Sequence, residues 1–418
     1  MIRKIAPLVF IFICTTIAWF ILGGITDMRT TTQDDKLEKA VSQMWGSLQR
    51  QEAPTLKHYE LYGRKTTKVV DGTEIVETVQ DTIEFPINIE KSDINVSLNL
   101  DHRKKGLLWY STYGVVFQGI YLARNIEKIP YDADFQYNFP SEEGIYENFV
   151  FKVDNNIIDN IQPKSGTIIY SLHFEPGQEH SIEIGYKSQG MDEWWYAFGP
   201  GVSKIDGFKL TMNTDFDDID FPENSISPTE KEKTESGWRL TWEYSSLISG
   251  IQIGMDLPQR LNPGPLASRL SFFAPVSLFI FLFLMFIITA VKRINIHPMN
   301  YFFIAAAFFS FHLLLSYLID HIDIHLAFII CAIVSIFLVI SYMRLVVGTR
   351  FALIETGLSQ FIYLVLFSYT FFLEGYTGLA ITICSIITLF IVMMFTGRID
   401  WNKQFKMFKD TEEKPIGH

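Results

Sequence analysis

IAPLVFIFICTTIAWFILGGI, residues 5–25, decides the architecture. It is an uncharged apolar run, long enough for one helix to cross the roughly 30 Å hydrocarbon core of a bilayer. Arg3 and Lys4 precede it, and no small-x-small cleavage site closes it, so the run reads as a retained signal anchor rather than a removed signal peptide. Working outward, the apolar pattern stops for about 245 residues and returns as five further runs at 272–291, 300–319, 324–343, 353–373 and 377–396. The links between them are short, which predicts antiparallel neighbours in one bundle, each helix satisfying its own backbone in lipid.

Lys and Arg beside the spans set the orientation. They stand at Arg3 and Lys4, at Lys292 and Arg293, at Arg344 and Arg350, and at Arg398, Lys403, Lys406 and Lys409. Six crossings from an inside N-terminus put all of these in the cytoplasm, whereas the opposite loops IDHIDIH (319–325) and EGYTG (374–378) carry none. Arg29 and Arg269 are the exceptions, beside the external ends of spans one and two. Residues 1–4 and 397–418 are therefore expected in the cytoplasm and 26–271 outside it. Residues 27–271 hold 38 acidic and 24 basic side chains, and an anionic section of this kind repels a nucleic-acid backbone. Cys14, Cys331 and Cys384 all fall in apolar runs, so the long polar section has no disulfide staple and must be held by its own core.

Within 26–271, DDKLEKAVSQMWGSLQR (34–50) spaces Leu37, Val41, Met44 and Leu48 as a short amphipathic helix. From about residue 55 the period changes to two, in DINVSLNLD, HSIEIGY and GWRLTWEY, which predicts half-buried strands separated by turns such as FPSEEG and FEPGQ. The expected class is a polytopic α-helical membrane protein carrying a large periplasmic antiparallel β-rich domain. Trp194 and Trp195, the pair Trp238 and Trp242, and the acidic run DFDDID (215–220) are candidate binding features. Against them stand core filling for the tryptophans and a solvated loop for the carboxylates, which lack the spacing of an EF-hand.

In the bundle, His312 is an imidazole near mid-depth, either bonded to a neighbouring helix or a proton-relay residue. Glu355 sits in the first turn of span five, where it favours the helix dipole. Asp320, His321, Asp323 and His325 crowd the loop after span three, and Glu374 with Tyr376 follows span five on the same side. Such a set could bind zinc or relay protons if the fold gathers it, but no HExxH or GxSxG motif accompanies it. Pro298 follows His297 at the start of span three, where a missing N–H costs nothing.

HPMNYFF (297–303), HLLLSYLIDH (312–321), YLVLFSYTFFLEGYTGL (363–379) and MMFTGRIDW (393–401) resemble the CreD family of bacterial inner-membrane proteins. The resemblance falls on His297, Pro298, Tyr301, His312, Asp320, His321, Glu374, Tyr376, Asp400 and Trp401, and on WGSLQ (45–49) with Pro54 and Leu56. Where the family commonly has an acidic pair before tyrosine, this chain has Glu374-Gly375-Tyr376. The resemblance implies a role in envelope integrity or envelope stress, without an established reaction.

The leading expectation is a non-enzymatic envelope protein, without a cofactor, whose partners are the lipid bilayer and a periplasmic protein or wall-associated ligand. A transporter or ion-coupled channel built from spans two to six is the first alternative, although no repeated pair of broken helices supports it. A metalloenzyme using His321, His325 and Glu374 is the second.

Overall fold

The computed structural model describes residues 2–397 apart from 71–72, 142–143, 200, 202 and 374, and apart from the side chains of 2–5, 65–80, 203 and 395. Glu374, Asp400, Trp401 and the basic tail thus lie outside the described residues. The chain divides into a β unit, Leu37–Lys105 with Trp109–Arg260, and a helical unit formed by the rest.

Among the described residues, six helices are long and apolar enough to cross a membrane. The first runs unbroken from Ile2 to Trp45. At about 1.5 Å per residue it is about 66 Å long, roughly twice the hydrocarbon thickness. The separate helix expected at 34–50 is therefore the end of this one, and strand begins at Gln49. TDMRTTT, between the expected span and the expected helix, is helical as well. Thr26, Thr30 and Thr32 each donate to the carbonyl four residues back at 2.8 Å, tucking the competing hydroxyls into the helix itself.

Span two starts at Pro263, nine residues before its apolar run. The extra turns pack on the first helix through small residues: Ser268 donates to the Gly23 carbonyl at 3.1 Å, and a Cβ at Gly264 would meet Thr30. Close backbone approach through small residues is how helices associate in lipid, where apolar burial alone gains little. Spans three and four are Pro298–Leu318 and Ile324–Val346. Span five, Phe351–Phe372, is the most buried of the six, and its turns alternate between π and α before a final 3₁₀ turn. Span six is Thr377–Thr396.

The β unit contains β1 (Gln49–Glu52), β2 (Thr55–Val70), β3 (Thr73–Ile87), β4 (Lys91–Lys105) and β5 (Leu108–Arg124). Next come β6 (Tyr131–Asn138), β7 (Glu147–Val153), β8 (Asn156–Ile157), β9 (Thr167–Phe174) and β10 (Glu179–Met191). The last are β11 (Glu193–Ala197), β12 (Ser203–Thr214), β13 (Glu230–Lys233), β14 (Trp238–Ser249) and β15 (Ile253–Asp256). They form an eight-stranded sheet in the order β13-β14-β12-β4-β5-β10-β7-β8, a four-stranded sheet β3-β2-β6-β9, and a small sheet β1-β11-β15. The alternation of Ile94, Val96 and Leu98 puts one face of β4 inside, against Tyr113, Phe117 and Phe135. All three sheets contribute to this one apolar core.

The sheets are not wholly antiparallel. β1 runs parallel to β11, and β4 parallel to β12. Parallel partners need long crossovers, so pairs this far apart in sequence leave no turn signal between them.

Candidate functional site

The outer face of the eight-stranded sheet carries a hollow of about 260 Å³. Register builds it. Gln189 of β10 stands opposite Gly114 of β5, and Lys187 stands opposite both Val116 of β5 and Glu147 of β7. Their neighbours Val115 and Ser188 are buried, while Val116 is 38% exposed, which assigns this row to the outward face. A Cβ placed on Gly114 would meet nothing within 4 Å, so the glycine is the open floor. Trp45 and Ile145 wall the hollow, and Asn99 of β4 joins its polar rim.

Trp45 is held there by the residue after it. Gly46 has φ +133°, and a Cβ on it would stand 2.3 Å from the Gln189 carbonyl oxygen. Only glycine lets the chain leave the helix this close to β10. Gln49 then clamps the crossing, donating to Ser188 Oγ and to the Gln189 carbonyl, both at 2.6 Å. Arg103 stacks on the indole with its guanidinium carbon 3.3 Å from the ring centroid, a cation–π contact. The indole Nε1 is buried without a partner.

A second hollow of about 300 Å³ is acidic, lined by Asp192, Glu193, Asp218, Asp220 and Asp256. Burial raises the Asp256 carboxyl above its ordinary value, and the charges of Glu193 and Asp220 add to the rise. The other DFDDID carboxylates serve the scaffold: Asp215 accepts from the Leu100 amide at 2.8 Å, and Asp217 pairs with Lys233. Among the described residues no group of three or more His, Cys, Asp or Glu is placed to hold a metal ion.

The tryptophans expected as a binding cluster have separate positions. Trp194 is fully buried in the core, and Trp195 is half-buried and donates to the Glu193 carboxylate at 2.7 Å. Trp238 and Trp242 donate to the carbonyls of Asp217 and Ile226, at 2.9 and 2.8 Å.

The interhelical loop residues are spread among structural tasks. Asp320 pairs with Arg29 at 3.1 Å, and Arg29 also lies over the Tyr317 ring. Asp323 caps span four, accepting from the His325 amide at 2.9 Å, and the His325 ring stacks on Phe372. His321 is exposed, as is Tyr376 just before span six. His297 caps span three, its Nδ1 accepting from Met299.

His312 is buried between Trp19, Phe308 and Phe311, and its Nδ1 and the Trp19 Nε1 both lack partners. Span five adds a polar series that its hydropathy conceals. Glu355 pairs with Lys292, Gln360 donates to Ser335 Oγ at 2.8 Å, and Tyr363 Oη meets Thr388 Oγ1 at 2.8 Å. Ser277 donates to the Tyr363 carbonyl. Glu355 Oε2, Thr356 Oγ1 and Gln360 Oε1 remain buried and unpaired. Alternating π turns offer a signal here, because such turns recur at functional positions in helices, but they are invisible to an apolar count.

Residues 206–402 match the family described as inner membrane protein CreD. Over that stretch, just under half of the chain, the protein is similar to the CreD inner membrane proteins. The match extends the resemblance in from the spans to β12, and the Trp-Gly segment at 45–49 lies outside it. No curated protein matches the chain significantly. Among solved structures, a Legionella pneumophila protein titled provisionally as a nutrient binding protein is 8% identical, with 63% of this chain and 85% of that chain covered and a TM-score of 0.30. A likeness that weak carries no argument about this CreD-like chain.

Proposed function

We propose that this CreD-like protein is a non-enzymatic component of the cell envelope, with both termini in the cytoplasm and a periplasmic β domain that binds an envelope ligand. The observation that carries the reading is the hollow over Gly114. Asn99, Glu147, Lys187 and Gln189 border it, and none of their side chains is used in a hydrogen bond or ion pair among the described residues. Polar groups gathered around a concave apolar floor, and left unspent by the fold, are the usual makings of a binding site. The periplasmic placement rests on the distribution of Lys and Arg beside the spans.

A photo-crosslinking residue at Ile145, which is 60% exposed at the hollow's edge, tests it in living cells. A specific adduct, together with loss of envelope resistance when the β domain is deleted from inserted protein, is the expected result. Absence of any adduct, with resistance intact after the deletion, would overturn the reading.

Transport is the second reading, and it draws on His312 and the unpaired oxygens of span five. Proton or solute flux in proteoliposomes, lost in both His312→Ala and Gln360→Leu, would establish it. A folded preparation without flux would remove it.

A further inference from the structure

We propose that the hollow under Trp45 binds a neutral saccharide through a single sugar ring, an inference that rests on the ligand-binding reading above. The chemistry of the lining selects this class. A sugar ring is a disc with apolar C–H faces and a girdle of hydroxyls that both donate and accept. The hollow is the complement of that disc. Its floor is the bare backbone of Gly114 beside Val116, its walls are the Trp45 indole and Ile145, and its rim is Asn99, Glu147, Lys187 and Gln189. Asn99 and Gln189 each offer an amide donor and acceptor, Glu147 only accepts and Lys187 only donates.

Other classes fit worse. A purely apolar ligand would strip water from four polar side chains without replacing their hydrogen bonds. Glu147 and Lys187 oppose one another in register, so the rim carries balanced charge, and the anionic β unit repels a polyanion. An extended peptide adding to the sheet needs a free strand edge, and β5 and β10 at the floor are paired on both sides. At about 260 Å³ the space is near the lower bound of roughly 300 Å³ for small-ligand sites, which suits one ring better than a chain.

Gly114→Val is the decisive variant. The new side chain fills the floor, its Cβ enters open space, and valine is a good strand former, so folding is retained. Full-length protein in lipid nanodiscs is titrated by calorimetry with N-acetylglucosamine, chitotriose, maltotriose and lactose, with dextran sulfate as the anionic control. The expected result is saturable binding of at least one neutral sugar. Gly114→Val should weaken it at least tenfold with an unchanged melting temperature, and Trp45→Ala should weaken it as much while also removing the Arg103 stacking. Failure of every neutral sugar to saturate, equal binding by folded Gly114→Val, or binding of dextran sulfate alone would each overturn the proposal. If Ile145 crosslinks a ligand in cells while no neutral sugar binds, the saccharide inference falls and the ligand-binding reading stands. If neither occurs, both fall.

Discussion

Two glutamines, both fully buried, contrast the two halves of the molecule. In the β unit, Gln51 of β1 accepts from Tyr137 at 2.7 Å and from Tyr186 at 2.8 Å, and its amide nitrogen donates to the carbonyls of Glu52 and Asn138. In the helical unit, Gln360 donates to Ser335 and its Oε1 has no partner. The first amide ties strand β1 to two sheets and uses its hydrogen-bonding capacity on both ends. The second is half-used in the middle of a helix whose turns are already irregular. Buried polar groups left unmatched tend to be retained for a reason other than stability. The contrast belongs to these two sites and not to the whole units, because the β unit also buries unpaired atoms, among them Trp45 Nε1 and Gln49 Oε1.

Alkali should break the comparison most visibly. Tyr113, Tyr137, Tyr186 and Tyr196 are raised well above their ordinary value, first by burial, and Tyr146 is pushed up to about 12. Their folded values exceed the unfolded ones, so the stability linked to the neutral phenols is whole below about pH 10 and is lost as pH rises through the raised values. The β unit should unfold between about pH 10 and pH 12 or just above, with tyrosinate absorbance rising in the same transition. A gradual rise starting near pH 10, with no structural change, would show the phenols to be accessible.

Gln51→Leu should come next. It keeps the volume but strands the hydroxyls of Tyr137 and Tyr186, each at roughly 1–3 kcal/mol, so a loss of about 3 kcal/mol is expected in denaturant melts of the β unit. Gln360→Leu is the counterpart and should do least. It removes an unpaired oxygen while Ser335 keeps its bond to the Ala307 carbonyl, so unfolding in detergent should shift by less than about 1 kcal/mol, toward greater stability if at all. A loss as large as that of Gln51→Leu would mean that Gln360 is structural, and the contrast would close.

Much of this was legible in the residues. Uncharged apolar runs mark the spans because lipid leaves the backbone no other way to be satisfied, and strict alternation marks β4, β10 and β14 because one face of each is wet. What misled was local chemistry with a tertiary answer. The helix expected at 34–50 is the end of the first span's helix, whose threonines at TDMRTTT bond back along the chain. Span two was expected from 272 and begins at Pro263, because PGPLASRLS packs on Gly23 and Thr30. The candidate loop between spans three and four looked like a ligand set, yet Asp320 and Asp323 serve an ion pair and a helix cap. The hollow was not legible at all.

The order of residues alone determined that this chain has six helices fit for a membrane and a β-rich section between the first two, since hydropathy and its period are properties of neighbours in sequence. Only the tertiary structure decided where a ligand could rest. Trp45, Asn99, Gly114, Glu147, Lys187 and Gln189 are scattered over more than a hundred residues, and they meet because strand register, which depends on pairing between distant segments, sets them side by side.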